Sequence, residues 1–460
     1  MFRRVVSKLQ EINLKRFLYL MHVCGFLSLP QCYQYHKIPW KSELHRYFTY
    51  SNLVLQGISL FFISLNLFIN TTQDLSLFCT SFFLWDIAIA EFGLVCLFNA
   101  KVKTFLEYLN FCETFTNHHS EHRTVSQLRK IERTLLLVGL VLVSVCMMFD
   151  ILLFPFLPKS NQVLETLANL YNVKYPQNTM ALQWYFPWVD LSQPKIFFLY
   201  FILYFHLCCI QILGFVLVIG SYPICVFHLK TQYIILRDFT LRLGQTHYNS
   251  KGKTIFHVNL MRNETVVREL KMKTDGQKQQ EPEPEISERD KHLSRLFQQN
   301  PVLYEKFYLG QIIHFHQRLI SQRKLLDNYF RTVFTFFAFV LVLILPNTMY
   351  GIFTPILPTN LERWKMIAEA GGSLAIVFVY FYCGELLAGC NQSLASGIWL
   401  SRWYTCSTRT QHDMVMFLKM NQKLQYFKIN HWDFGYKWML GAVKFSYSVF
   451  NMMRIRNARK

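Results

Sequence analysis

Metal and disulfide frameworks are missing from this sequence. Its twelve cysteines include no C-x-x-C pair and no metal-ligand spacing, and none falls between residues 155 and 195. Neither a metal site nor a disulfide-stapled outer domain is therefore expected. No P-loop, G-x-S-x-G or H-E-x-x-H is present, so nothing points to an enzyme or a cofactor. Acid is scarce: 28 Asp and Glu stand against 48 Lys and Arg, a formal net charge of +20. The basic residues lie between apolar runs and not on one soluble module, so the charge reports topology, with no nucleic-acid partner. No cleavable signal peptide is evident, because the first apolar patch, 17–29, is short and holds His22. What is abundant is apolar surface. The 460 residues are 52% hydrophobic and 17% aromatic, with 43 Phe, a composition of an all-α polytopic membrane protein.

Seven apolar stretches approach or exceed the length of about 17 to 25 residues that a spanning helix needs. They are 48–69, 75–99, 134–154, 196–228, 332–350, 364–389 and 434–456. The fourth would be about 50 Å long as a helix, more than a ~30 Å hydrocarbon core requires, so its inner end should project beyond the membrane. The fifth is expected to end near Pro346. Helical periodicity in 301–331 predicts that this span continues below the membrane. With the fourth span and 405–426 it would build an intracellular helical layer.

Lys and Arg counts orient the spans. Segments 1–47, 98–133, 228–331 and 390–433 hold 8, 6, 18 and 5, whereas 70–74 holds none, 155–195 three and 363–365 two. Basic loops stay cytoplasmic, which puts the N-terminus inside and, after seven spans, the C-terminus outside. The basic tail Arg454, Arg456, Arg459 and Lys460 runs against this rule and is outvoted. Asn70 in N-T-T then becomes an outer-loop glycosylation candidate. Residues 245–298, with KMKTDGQKQQEPEPEISERDK at their centre, read as a disordered insertion. His118, His119 and His122 resemble a metal cluster, but they lack companion ligands and read as a solvated turn.

The last stretch is too polar for a lipid-facing helix. It carries Lys437, Lys444, Ser446, Tyr447, Ser448 and Asn451, with Gly435, Gly441 and Ala442 for close helix approach. Two readings fit: an ordinary last helix of its own bundle, or one buried in an assembly beside water. Three strings bear on the choice: LGQIIHFHQRLI (309–320), YFYCGELLAGCNQSLASGIWLSRWY (380–404) and LGAVKFSYSVFNMMR (440–454). Their order and spacing resemble insect odorant receptors, and WYFPWVDLSQPKIFFLYF (184–201) is similar to that family's approach to its fourth helix.

The resemblance implies a seven-transmembrane subunit with a cytoplasmic N-terminus and an extracellular C-terminus. Four subunits, usually ligand-specific ones joined to a shared coreceptor, would form an odorant-gated cation channel. Cytoplasmic helix ends would make the anchor, and the seventh helices would line a central pore. The expected division is a cytoplasmic segment 1–47, helices one to four with the odorant pocket in 48–228, and a cytoplasmic loop with anchor helix in 229–331. Helices five and six follow in 332–389, an anchor segment in 390–433, and the pore helix with its tail in 434–460. The long 245–298 insertion is unusual for a ligand-specific subunit, yet the ending KFSYSVFNMMRIRNARK lacks the coreceptor's apolar terminus. A ligand-specific subunit is favoured, and a homotetramer stays open. The implied location is the plasma membrane of a sensory neuron dendrite.

Aligned on Leu440-Gly441-Ala442-Val443, the family's hydrophobic gate falls on Val449, with Met453 a turn beyond and Ala442, Phe445 or Ser446 facing inward. A ring of apolar side chains closes a pore by dewetting. The competing reading packs Val449 in its own subunit, and Lys444 should face a neighbour or the membrane interface. A small volatile odorant needs a largely apolar pocket. The resemblance implies the outer half of helices two, three, four and six. Faces at helical spacing there are Phe78, Phe82 and Asp86; Met147, Asp150 and Phe154; Phe197, Tyr200 and Tyr204; and Trp364, Ile367 and Gly371. Each aromatic has ordinary packing as its competing role. Asp86, Glu91, Asp150, Glu369 and Glu385 read mainly as hydrogen-bonding structure, and the ~140° between Asp86 and Glu91 argues against a shared carboxylate site. Competing functions are a gustatory receptor channel and a G-protein-coupled receptor. The latter needs the opposite orientation, and neither D-R-Y nor N-P-x-x-Y is present.

Overall fold

Asn13 caps the first helix, its side-chain oxygen accepting from the Arg16 amide at 2.9 Å, and α1 (Leu14–Val23) follows. A computed structural model describes residues 13–29, 39–69, 75–148, 161–171, 173–178, 184–186, 189–249, 252–267, 288–353, 360–429 and 432–458. The long helices are α2 (Pro39–Ile69), α3 (Leu75–His118), α4 (Arg123–Met148) and, after the short α5 (Asn161–Tyr171), α6 (Pro194–Leu241). A small sheet follows, β1 (His247–Tyr248), β2 (Thr254–Asn259) and β3 (Glu264–Val267), then α7 (Glu288–Gln299). The chain closes with α8 (Pro301–Phe353), α9 (Asn360–Ala388), α10 (Cys390–Leu400), α11 (Thr408–Asn421), the ribbon β4 (Phe427–Ile429) with β5 (Trp432–Phe434), and α12 (Tyr436–Ala458).

Each of the seven apolar stretches lies wholly or mostly on one of α2, α3, α4, α6, α8, α9 and α12, except that 149–154 fall outside the described residues. Among the described residues, Ser42–Ile69, Arg123–Met148, Pro194–Leu241 and Leu374–Leu400 are long and apolar enough to cross a membrane. Helix α8, with 53 residues, runs through Pro346 to Phe353, so the fifth span does not stop at the proline.

The ends of α3, α6 and α8 extend past the apolar stretches and pack into one layer with α10 and α11. The extension of α3 to His118 was not foreseen. Several buried polar groups here hydrogen-bond across elements, while the Tyr222 and Tyr329 hydroxyls have no partner among the described residues. Tyr108 donates to the Cys225 carbonyl at 2.9 Å, and Tyr308 to that of Phe239 at 2.8 Å. Arg323 donates to the carbonyls of Leu387 and Gln425, tying α8 to α9 and to the chain entering β4. Tyr222 is sealed among Phe330, Phe334, Tyr380 and Phe427. Helix α1 docks onto the layer's side: the Leu14 amide donates to Glu132 Oε1 at 2.7 Å, while Glu132 Oε2 pairs with His228 Nε2 at 3.4 Å. Burial alone would raise the Glu132 carboxyl, but these partners hold it below its usual range.

Two expectations need correction here. Residues 245–298 are not a structureless insertion at either end. The antiparallel β1-β2-β3 sheet pairs His247 with Ile255 and Phe256 with Val266, and Phe256 packs on Phe297 of α7 and Tyr304 of α8. Residues 268–287, most of the charged centre, lie outside the described residues. The HHSEH turn is solvated only in part, at His118, Ser120 and Glu121. His119 is buried with its Nε2 at 3.2 Å from the Met261 carbonyl, and His122 Nε2 meets Asp238 Oδ2 at 3.1 Å. A partner hairpin distant in sequence covers the turn, which local polarity could not announce. Burial lowers the imidazoles of His119 and His316 to about 4 and that of His257 to about 3.

Candidate functional site

Proline at the start of α6 suits a position whose amide has no helical partner, and from there Tyr200, Tyr204 and Leu207 share one face. The segment preceding α6 turns back across that face. Trp184 lies on Tyr200, with ring centroids 5.3 Å apart, and its backbone N–H donates to the Tyr200 hydroxyl at 3.2 Å. The Tyr185 amide donates to the Phe62 carbonyl of α2 at 3.4 Å, and the Phe62 and Phe186 rings are 3.9 Å apart. The result is an aromatic box separate from the main core. Ile63, Trp184, Tyr200, Tyr204, Leu207 and Cys208 are its buried members, with Phe62, Trp85, Met147, Phe186 and Phe197 packed around them. Trp85 donates its indole N–H to Ser64 at 2.8 Å, whereas the buried Trp184 Nε1 has no acceptor among the described residues. An unmet buried donor in an apolar enclosure is what one oxygen of a small ligand would satisfy.

The structure brings Met147, Phe197, Tyr200 and Tyr204 into this box. Phe78 and Phe82 reach it through a ring series, Phe78 to Phe82 and Phe82 to Trp85, each at 5.5 Å. Asp86 is buried beside this series, with neither carboxylate oxygen bonded to protein. The α9 set is not brought in: Trp364 is 68% exposed, Ile367 is half-buried, and nothing lies within 4 Å of a Cβ built on Gly371. Asp150, Phe154 and Asn70 lie outside the described residues. Phe62, Ile63, Trp85, Trp184 and Phe186 also belong to this cluster and were not foreseen from the sequence. Trp184 stood in the quoted loop string, but only the fold shows that this loop closes over α2 and α6.

Helix α12 starts at a cap: Glu385 Oε1 accepts from the Tyr436 amide at 3.1 Å. A carboxylate suits the positive end of a helix. A Cβ at Gly435 would lie 2.6 Å from that oxygen, so glycine permits the close approach. The five gate candidates do not share one environment. Ala442 and Ser446 point into the chain's own bundle, with Ser446 Oγ donating to the Ala442 carbonyl at 2.8 Å. Phe445 is 53% exposed on another face, and Val449 is half-buried at the boundary between the two. Met453 lies on the same helix, and Lys444 is exposed.

The family described as 7tm odorant receptor matches residues 71–431. The chain belongs to the odorant receptor family. No curated protein matches it. Among solved structures, it is similar to the insect olfactory receptor OR5 from Machilis hrabei, with a TM-score of 0.66 at 8% identity over 96% of this chain and 98% of that one. It is also similar to the same receptor in complex with eugenol, with a TM-score of 0.64 at 10% identity over 95% and 96%. At such identity the likeness shows the fold, and this odorant receptor shares it almost from end to end.

Proposed function

We propose that this odorant receptor is a subunit of an odorant-gated, non-selective cation channel, formed as a heterotetramer with the shared coreceptor. The observation that carries the reading is the aromatic box roofed by Trp184, whose unmet indole N–H and apolar walls suit a small volatile molecule with one acceptor oxygen. The structurally similar receptor is in complex with eugenol, a small oxygen-bearing aromatic molecule. The seven apolar stretches span the plasma membrane with the N-terminus inside and the C-terminus outside, and the helical layer is the cytoplasmic anchor between subunits. Odorant binds the open arrangement more tightly and so shifts the population toward it. Helix α12 lines the pore, with Val449, at the edge of its buried face, as the hydrophobic gate and Phe445 and Met453 near it. Ala442 and Ser446 seat the helix on its own bundle. The cationic Lys444 faces a neighbouring subunit or the membrane interface. Asn70 is the candidate outer glycan site.

The test is a panel of volatile ligands on cells expressing this chain with a coreceptor. An evoked cation current that survives G-protein blockade is expected, and a current abolished by that blockade would sink the reading. Val449→Ala should raise the basal leak, and an unchanged leak would remove Val449 from the gate.

A further inference from the structure

Just below the aromatic box, where α2, α3 and α6 meet, lies a second, smaller and polar cavity of about 20 Å³. A water-sized occupant needs roughly 10–15 Å³ measured this way, so the space admits one small particle. Its polar lining is Gln56 and Ser59 from α2, Glu91 from α3 and Gln211 from α6, with Leu207 shared with the box above. All four sit well within the apolar stretches, where polar side chains are costly and the ionised ones mark functional sites.

Glu91 is 3% exposed, and its Oε1 has no partner among the described residues. The Gln211 side chain hydrogen-bonds to the carboxylate, which uses an amide N–H and leaves the Gln211 carbonyl oxygen available. The α6 backbone comes close here because residue 214 is glycine: a Cβ there would lie 2.9 Å from Glu91 Oε1. No Lys, Arg or His lines the cavity among the described residues, so no protein cation neutralises the carboxylate there. The donor set is thus one carboxylate, two carboxamides and a hydroxyl, all hard oxygen ligands around a space for one particle. One negative charge balances one positive charge, whereas a divalent ion would leave a charge uncompensated in a low-dielectric interior. The small volume favours sodium over potassium.

We propose that this cavity is a sodium site within the bundle, with Glu91 as the charged ligand and Gln56, Ser59 and Gln211 as neutral ones. Bound sodium would cross-link α2, α3 and α6 directly beneath the box. The site is independent of channel activity, so its test can fail while the odorant reading stands.

The experiment uses full-length protein purified in detergent. Its thermal unfolding is followed in sodium, potassium or choline chloride at equal ionic strength, alongside equilibrium binding of radioactive sodium. Sodium should raise the unfolding temperature and bind with saturation in the wild type, and Glu91→Gln should lose both effects. Ser59→Ala, which keeps the charge and offers a second variant should Glu91→Gln not fold, should weaken sodium binding by about tenfold, as for a lost bond to a charged group. Two outcomes would overturn the proposal. Absence of sodium dependence in folded wild type would mean that Glu91 keeps its proton beside a water. Sodium dependence unchanged in both variants would place the ion elsewhere.

Discussion

The aromatic box and the helical layer are both buried and both rich in rings, yet they are closed in different ways. In the layer, the Tyr108 and Tyr308 hydroxyls and the Arg323 guanidinium are spent on backbone carbonyls, Tyr108 on Cys225, Tyr308 on Phe239 and Arg323 on Leu387, although the Tyr222 and Tyr329 hydroxyls stay unmet among the described residues. Each such bond joins elements far apart in sequence and fixes one helix relative to another. In the box, closure comes from loop residues 184–186 lying across α2 and α6, and the Trp184 indole N–H is left unmet. The layer is held by hydrogen bonds between distant elements, the box by rings and a loop packed over two helices. Under the proposed function, the first would be the anchor and the second the region that admits a ligand.

The comparison breaks first in the layer. Phe330→Ala removes a fully buried ring that packs on Tyr222, Phe334 and Tyr329. It should cost ~3–5 kcal/mol, as large-to-small core changes do. Thermal unfolding and surface expression are the readouts, and a cost below 1 kcal/mol would show that the layer is looser than described.

Acid should act on the same region. His119, His257 and His316 titrate in the folded chain at about 4, 3 and 4, below the ordinary imidazole value. Below pH ~6.5 the unfolded chain takes up protons that the folded chain refuses, so stability is flat above that pH and falls as pH drops toward 4. The slope is at most about 1.4 kcal/mol per pH unit for each histidine. His257→Phe should flatten it, and stability unchanged between pH 7 and 5 would contradict the burial of these rings.

The box should respond through ligand sensitivity instead. Trp184→Phe keeps the ring and removes the donor, so odorants bearing an oxygen should need about five- to tenfold higher concentration, with little effect on hydrocarbons. Equal losses for both classes would leave the indole with a packing role only. The smallest effect belongs to Trp364→Ala: at an exposed site it should change stability by less than ~0.5 kcal/mol and leave sensitivity unaltered. A marked shift in sensitivity would bring α9 back into the pocket.

Much of this was legible from residue order. Apolar runs located seven helices because a long apolar segment must satisfy its backbone hydrogen bonds internally, a demand that marks every residue of the segment. The strings around 309–320, 380–404 and 440–454 indicated the family, and the spacing of Phe197, Tyr200 and Tyr204 marked the face of α6 that the box uses. Periodicity also carried α8 below its apolar stretch. It did not do the same for α3, whose continuation mixes Lys101, Lys103 and Glu107 with Phe105 and Leu106 and resembles an ordinary basic loop.

What the tertiary structure decided is which distant surfaces meet. His119 is buried because the β2–β3 hairpin lies over it, and Trp184 faces Tyr200 because the segment preceding α6 turns back. Trp364 and Gly371 have pocket-like spacing, but among the described residues Trp364 is exposed and Gly371 faces open space. Residue order encodes the period of one helix and the cost of placing it in lipid. Whether an apolar face finds a ring, a loop or open surroundings depends on contacts between separate elements, often more than a hundred positions apart, such as Leu14 with Glu132 or Tyr108 with Cys225. Those pairings arise only when the whole chain is folded.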